Sequence, residues 1–244
     1  MFLDRDDVYI RPARTVARFE RALNELARPN APTVRIVGEL AGGPDPAEWD
    51  RWMDYEAAVS AAYAAHNAWL VCAYDTRETP DHIIDEVLRC HPVHVGDPDS
   101  VGPTTYEDPA LMLGAGTSSP VATVDGLLDL GVAEDPAAVR AAVAGVMAPA
   151  HLPPARAVEL LLAVNEAAVN AFTHGGRPVT VRAGTPGGRL VVEIADSGPG
   201  LADAVAGWLP PRAGRGAGLW LARQATSRLE LIPSAAGCTI RLWQ

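Results

Sequence analysis

Three groups of residues in the second half of this 244-residue chain have the types and spacing to do chemistry. Glu166 and Asn170, within NEAAVNAFTHG (165–175), stand four apart, so on a helix they share one face. A carboxylate there can act as a base or orient a hydroxyl or water. An amide oxygen there can join the oxygen shell that Mg²⁺ shares with phosphates. Asp196 ends the apolar run of VVEIADSGPG (191–200), with Gly198 and Gly200 beyond it. A carboxylate at a strand end can accept the exocyclic N–H of adenine, and glycines let a flat base approach the backbone. GRGAGLWL (214–221) opens a helix. Gly214, Gly216 and Gly218 leave backbone N–H groups free for an anion, and Arg212 and Arg215 add charge for phosphates. Each group also has a plain reading: a solvated helix face, an Asx turn closing a strand, a flexible loop with a cap. The signal is the order of the three, with a hairpin between the first and second.

The surrounding pattern supplies elements to position them. Helical spacing covers 135–149 and 154–174, after a short strand expected near Val121. Strands at 177–183 and 189–195 meet at Thr185-Pro186-Gly187-Gly188, a hairpin signal. A helix at 218–228 and strands at 229–233 and 238–243 follow. Helices grouped apart from antiparallel strands indicate an α+β sandwich. The first half differs. Helical patterns at 14–27 (Val16, Phe19, Leu23 and Leu26 on one face), 48–65 and 80–89 alternate with apolar runs TVRIVGE (33–39) and WLVCAY (69–74). That order implies parallel pairing and an α/β domain. Residues 97–119, rich in Gly, Pro, Ser and Thr, read as a linker between domains 1–96 and 120–244.

Composition narrows the chemistry. The twenty basic residues are all arginine. Lysine is absent, which excludes a P-loop, a kinase of the strand-lysine type and Schiff-base catalysis. A net charge of −10 argues against a nucleic-acid surface or a polybasic membrane patch. No apolar run reaches the length of a membrane span and no signal-peptide pattern opens the chain, so the expected location is the cytosol. Cys72, Cys90 and Cys238 have neither zinc nor disulfide spacing and are expected to be reduced and mostly buried.

The three ordered motifs resemble the GHKL ATP-binding domain shared by histidine kinases, gyrase and MutL, over roughly 120–244. The similarity is closest to the anti-sigma-factor serine kinases of the SpoIIAB/RsbW type. That resemblance implies ATP and Mg²⁺ as cofactors. It implies Glu166 as base, Asn170 as metal ligand, and Asp196, Gly198 and Gly200 at the adenine. It implies Gly214, Gly216 and Gly218 at the phosphates, with Arg212, Arg215 and Leu219 beside them. His174 stands where these small kinases often carry histidine; it can reach phosphates or simply cap its helix beside Gly175. Only 201–213, including Pro210-Pro211, separate the two glycine motifs, a short lid that puts turnover in more doubt than binding.

The first half is similar to the MEDS domain, named for DcmR-type sensory proteins. The resemblance rests on VRIVGE (34–39), YEAAV (55–59), CAYDT (72–76) and CHP (90–92). The chain begins where the third strand of such a domain would end, at Phe2-Leu3-Asp4, so an incomplete sheet with an exposed edge is expected. Glu39 and Asp75 follow strands, where ligands bind in open parallel sheets, although strand-end capping explains them equally simply. Trp49, Trp52, Tyr55 and Tyr63 read as packing, and His91-Pro92 as a helix stop.

The expected function is a regulatory ATP-binding protein of the anti-sigma-factor serine/threonine kinase type, which either sequesters a partner such as a sigma factor or phosphorylates a serine or threonine on a partner's small antagonist domain, with the first half as sensor and a homodimer allowed. A histidine kinase would need an acceptor on a helix hairpin, and none of the six histidines lies in such a string. A non-enzymatic binding module that uses ATP only to hold one conformation is the third reading.

Overall fold

The computed structural model describes residues 11–26, 33–39, 46–64, 66–95, 106–114, 123–201, 203, 205–211 and 216–244. Two compact units emerge, Met1–Leu113 and Gly114–Gln244.

In the first unit, helix α1 (Pro12–Leu26) buries Val16, Phe19 and Leu23 on one stripe, while Leu26, expected on that stripe, is exposed. Strand β1 (Val34–Glu39) pairs in parallel with β2 (Ala68–Ala73), as the alternation of elements predicted. Helix α2 (Pro46–Tyr63) lies between them in sequence, and α3 (Asp81–Cys90) follows. The strands are less enclosed than their apolar runs imply: β1 alternates between half-buried and exposed, with Val37 71% and Trp69 52% exposed. Among the described residues the sheet holds only these two strands. The core comes from the helices instead. Trp49, Trp52, Tyr55 and Tyr63 of α2 are all buried, and the Tyr63 hydroxyl donates to Val16 O at 3.1 Å.

Residues 106–113, inside the stretch expected as linker, fold onto this unit. They include α4 (Pro109–Gly114). Arg89 grips Glu107 through two hydrogen bonds of 2.8 and 3.0 Å, and Cys90 Sγ reaches Met112 Sδ at 3.7 Å. The strand end expected at Phe2-Leu3-Asp4 and the strand expected near Val121 lie outside the described residues.

The second unit is a five-stranded antiparallel sheet in the order β3-β4-β5-β7-β6, with three helices packed on its core face. Its strands are β3 (Leu128–Ala133), β4 (Val179–Gly184), β5 (Val191–Asp196), β6 (Arg228–Ser234) and β7 (Gly237–Trp243). Its helices are α5 (Pro136–Met147), α6 (Pro154–Thr173) and α7 (Gly218–Ala225). Helix α5 starts cleanly because Asp135 caps the Ala138 N–H at 2.8 Å and Pro136 follows. Helix α6 buries Leu160, Ala163, Val164, Ala167, Ala168 and Ala171, a stripe of helical period, against Val181, Ile194 and Leu242. Small alanines on that stripe let the helix lie close to the sheet.

Strand β3 escapes sequence reading for a physical reason. A register shift between Asp129 and Gly131, with Gly131 at φ 86°, breaks its alternation, and Leu128 and Val132 stay mostly exposed. On the face of β5 and β7 away from the helices, Glu193 accepts from Arg182 at 2.9 Å and from Arg241 at 2.7 Å, while Arg241 also reaches Glu230. Cross-strand charge pairing therefore takes the place of alternating apolar residues there.

Candidate functional site

Helix α6 carries the first motif. Its apolar stripe faces the sheet, which leaves Glu166 and Asn170 together on a half-buried flank. Glu166 is held there from behind. Asn165 Nδ2 donates to Glu166 Oε1 at 3.1 Å, and Arg140 of α5 donates to Asn165 Oδ1 at 2.6 Å. That chain of bonds leaves Glu166 Oε2 pointing at the start of α7. A Cβ built on Gly218 would sit 2.9 Å from Oε2, 3.5 Å from Asn170 Nδ2 and 3.6 Å from Asn170 Oδ1. The first and third motifs, some fifty residues apart in sequence, thus share one space, and only glycine at 218 keeps it open.

The second motif meets the end of α6. Asp196 Oδ1 accepts the Gly198 N–H at 2.8 Å, a turn that fixes the carboxylate at the strand end. A Cβ on Gly175 would run into that carboxylate, with Oδ1 at 2.6 Å, and Ser197 N–H donates to Gly176 O at 3.0 Å. A Cβ on Gly198 would collide with the Gly175 backbone at 2.6 Å. Strand end and helix end are therefore in glycine-to-glycine contact. Gly200 adopts φ 80°. Across the sheet Asp196 pairs with Cys238, whose thiol is pushed up to about 11 by burial first and by Asp196 second.

Not every expected residue falls in this space. His174 is exposed and caps α6, its N–H donating to Asn170 O at 2.8 Å. Leu219 packs against the core. Gly216 is exposed with open space where a Cβ would stand. Arg212, Gly214 and Arg215 lie outside the described residues. In the short lid, Trp208 is buried beneath the Arg223 guanidinium, 4.5 Å from its ring centre, and Arg223 also donates to Ala206 O and Leu229 O. One side chain of α7 thus anchors the described part of the lid.

Sequence reasoning missed Arg140, Asn165, Gly175, Trp208 and Arg223. Asn165 stands beside Glu166 in the motif, and Gly175 closes it, so both were within reach; Arg140 and Arg223 act from a distance and carry no local signal. In the first unit, Asp75 accepts the Arg77 N–H at 2.9 Å and its Nε–H at 2.8 Å, which is strand-end capping. The Arg77 bonds hold its carboxyl down at about 2.

The comparisons with known proteins follow the same division. Residues 2–92 match the MEDS family, the methanogen/methylotroph, DcmR sensory domain, and residues 132–243 match the histidine kinase-like ATPase domain family. No curated protein matches. Among solved structures, the chain is similar to the histidine kinase domain from the Erythrobacter litoralis EL346 blue-light activated histidine kinase. Identity there is 12%, over 95% of this chain and 92% of that one, with a TM-score of 0.33, too low to say anything about arrangement or activity. Among the described residues, no helix is long and apolar enough to cross a membrane. The chain thus consists of an N-terminal α/β domain of the MEDS kind followed by a GHKL ATP-binding domain.

Proposed function

We propose that the C-terminal domain binds Mg-ATP and passes the γ-phosphoryl group to a hydroxyl on a protein partner, with the MEDS-like domain biasing that step. The observation that carries this reading is the meeting of Glu166 and Asn170 at Gly218. A carboxylate, an amide and an unobstructed helix start are the three parts that positioning and charge stabilisation of a phosphoryl group require. The chemistry fits the donors present: an oxygen ligand for Mg²⁺, and backbone N–H groups at a helix N-terminus for phosphate. Mg-ATP would supply the transferable group and offset its charge. Asn170 would hold the metal, Asp196 would accept from the adenine amine, and Gly198 and Gly200 would let the base lie against the backbone. Glu166, oriented by Asn165, would take the proton of the attacking hydroxyl. The partner class that the family resemblance suggests is a sigma factor or its small antagonist domain.

A second reading, histidine phosphorylation, is favoured by the match of 132–243 to a histidine kinase-like ATPase domain. Incubation of the full chain with γ-labelled ATP and a candidate antagonist domain separates the readings. Acid-stable label on a partner serine or threonine supports the proposal. Acid-labile, base-stable label on histidine supports the second reading. Tight ATP binding without any transfer overturns both and leaves a nucleotide-gated binding module.

A further inference from the structure

The first domain encloses a cluster that the ATP site does not explain. Glu56, in the middle of α2, is 0% exposed. Tyr74, just beyond β2, donates its hydroxyl to Glu56 Oε1 at 2.7 Å. Glu56 Oε2 is buried and receives no hydrogen bond. Around it stand Cys72 of β2 and His91, the residue that stops α3, with His91 Nε2 at 3.3 Å from Oε2. One ligand atom from each of the three side chains lies within 4.8 Å of the other two. Among the described residues this is the only such convergence of histidine, cysteine and carboxylate groups.

The orientation of each group is set by a further bond. His91 Nδ1 is 2.9 Å from Val87 O, and a carbonyl can only accept, so Nδ1 carries a proton. The Nε2 edge of the ring then faces the Glu56 oxygen. A carboxylate oxygen, an imidazole nitrogen and a sulfur face one another, with Glu56 fully buried and Cys72 and His91 partly exposed. A proton on Nε2 can bridge two of them; a divalent cation can bridge all three. The supporting bonds are those that metal ligands use: a histidine fixed by a backbone carbonyl and a carboxylate fixed by a hydroxyl.

The geometry points to a mononuclear site in which Glu56, Cys72 and His91 bind a divalent transition-metal ion of the zinc type, with one coordination position left for an outside donor. One oxygen, one nitrogen and one sulfur suit a borderline-soft ion and exclude Mg²⁺ and Ca²⁺, which take oxygen. Ligand atoms around a tetrahedral zinc stand roughly 3.3–3.8 Å apart, from bond lengths of about 2.0–2.3 Å. The three atoms lie within 4.8 Å of one another, so closing on the metal takes a movement of at most about 1.5 Å, within reach of side-chain rotation. Three protein ligands are the number found where zinc keeps an open position. In a domain of sensory type, that position gives a small ligand direct access to the metal.

Co²⁺ is the probe, added to chelator-stripped full-length protein. The expected result is one equivalent bound with a thiolate-to-cobalt charge-transfer band. Cys72→Ser should abolish the band, and His91→Gln should weaken Co²⁺ binding by at least about 10-fold. Cys90→Ser and Cys238→Ser should keep it, which separates this site from the other thiols and from any cation at the ATP site. Should Cys72→Ser fail to fold, X-ray absorption at the zinc edge of the unmutated protein decides, with one sulfur and otherwise nitrogen or oxygen expected. A shell without sulfur, a band that survives Cys72→Ser, or no stoichiometric binding overturns the assignment.

Discussion

The two domains treat their structural carboxylates in opposite ways. In the ATP-binding domain, half-buried Glu166 is steadied by a neutral amide, itself steadied by Arg140, and half-buried Asp196 by a backbone N–H. Each has one oxygen committed to the scaffold, and the other oxygen of Glu166 is left toward Gly218. In the MEDS-like domain, Glu56 also has one oxygen committed, to Tyr74, but its other oxygen faces a sulfur and a nitrogen. A carboxylate whose second edge opens on glycine and backbone N–H groups is ready for an anion's metal and protons. One whose second edge is walled in by other donor atoms is ready for a cation alone. The two also differ in depth, half-buried for Glu166 and fully buried for Glu56, but what surrounds the uncommitted oxygen is what separates them.

That contrast can be broken most sharply at residue 218. Gly218→Val places a side chain between Glu166 and Asn170, an overpacking worth about 1–3 kcal/mol, or roughly 10–100-fold in ATP affinity measured by calorimetry. Metal uptake by the first domain should not change. On the proposed reading, Asp196→Asn replaces a carboxylate acceptor by an amide where the adenine amine would donate. The expected loss is about 1.5–3 kcal/mol of binding with the fold intact by circular dichroism, and unchanged affinity would remove Asp196 from the adenine site. Tyr74→Phe strips Glu56 of its hydroxyl donor. Thermal unfolding of the first domain should show a cost of about 1–3 kcal/mol, with ATP affinity unaltered. Asn165→Ala should leave ATP affinity alone but slow phosphoryl transfer by about 10-fold, since it loosens the base without touching nucleotide; a parallel fall in affinity would make Asn165 a binding residue instead. The smallest effect is expected for Asp135→Ala, about 1 kcal/mol of stability in the second domain from the lost cap, read by denaturant unfolding.

Much of the second domain was legible because local chemistry and global fold agree there. The stripe on α6 and the turn at 185–188 each say in sequence what they do in space, and Gly198 and Gly218 stand at close approaches. The hidden parts are those decided across the fold. Strand β3 lacks alternation because a bulge turns its apolar residues outward. Gly175 is required only because Asp196 arrives opposite it. In the first domain the composition of the strands announced burial, and the two strands among the described residues stay partly exposed. Glu56, Cys72 and His91 sat in the very strings that carried the MEDS resemblance, yet separations of 16 and 19 residues obey no metal-binding spacing. Their convergence depends on a helix, a strand and a helix end arriving together.

The position of β7 has one more consequence. It is the last of the five strands to be made, yet it lies between β5 and β6 and supplies Cys238 opposite Asp196. During synthesis β3, β4 and β5 can form a meander, but the strand end that bears Asp196 has no neighbour on its far side until β7 emerges. The Asp196 strand end is therefore finished only when β7 has been translated. The first domain, a compact unit of its own, leaves the ribosome well before that.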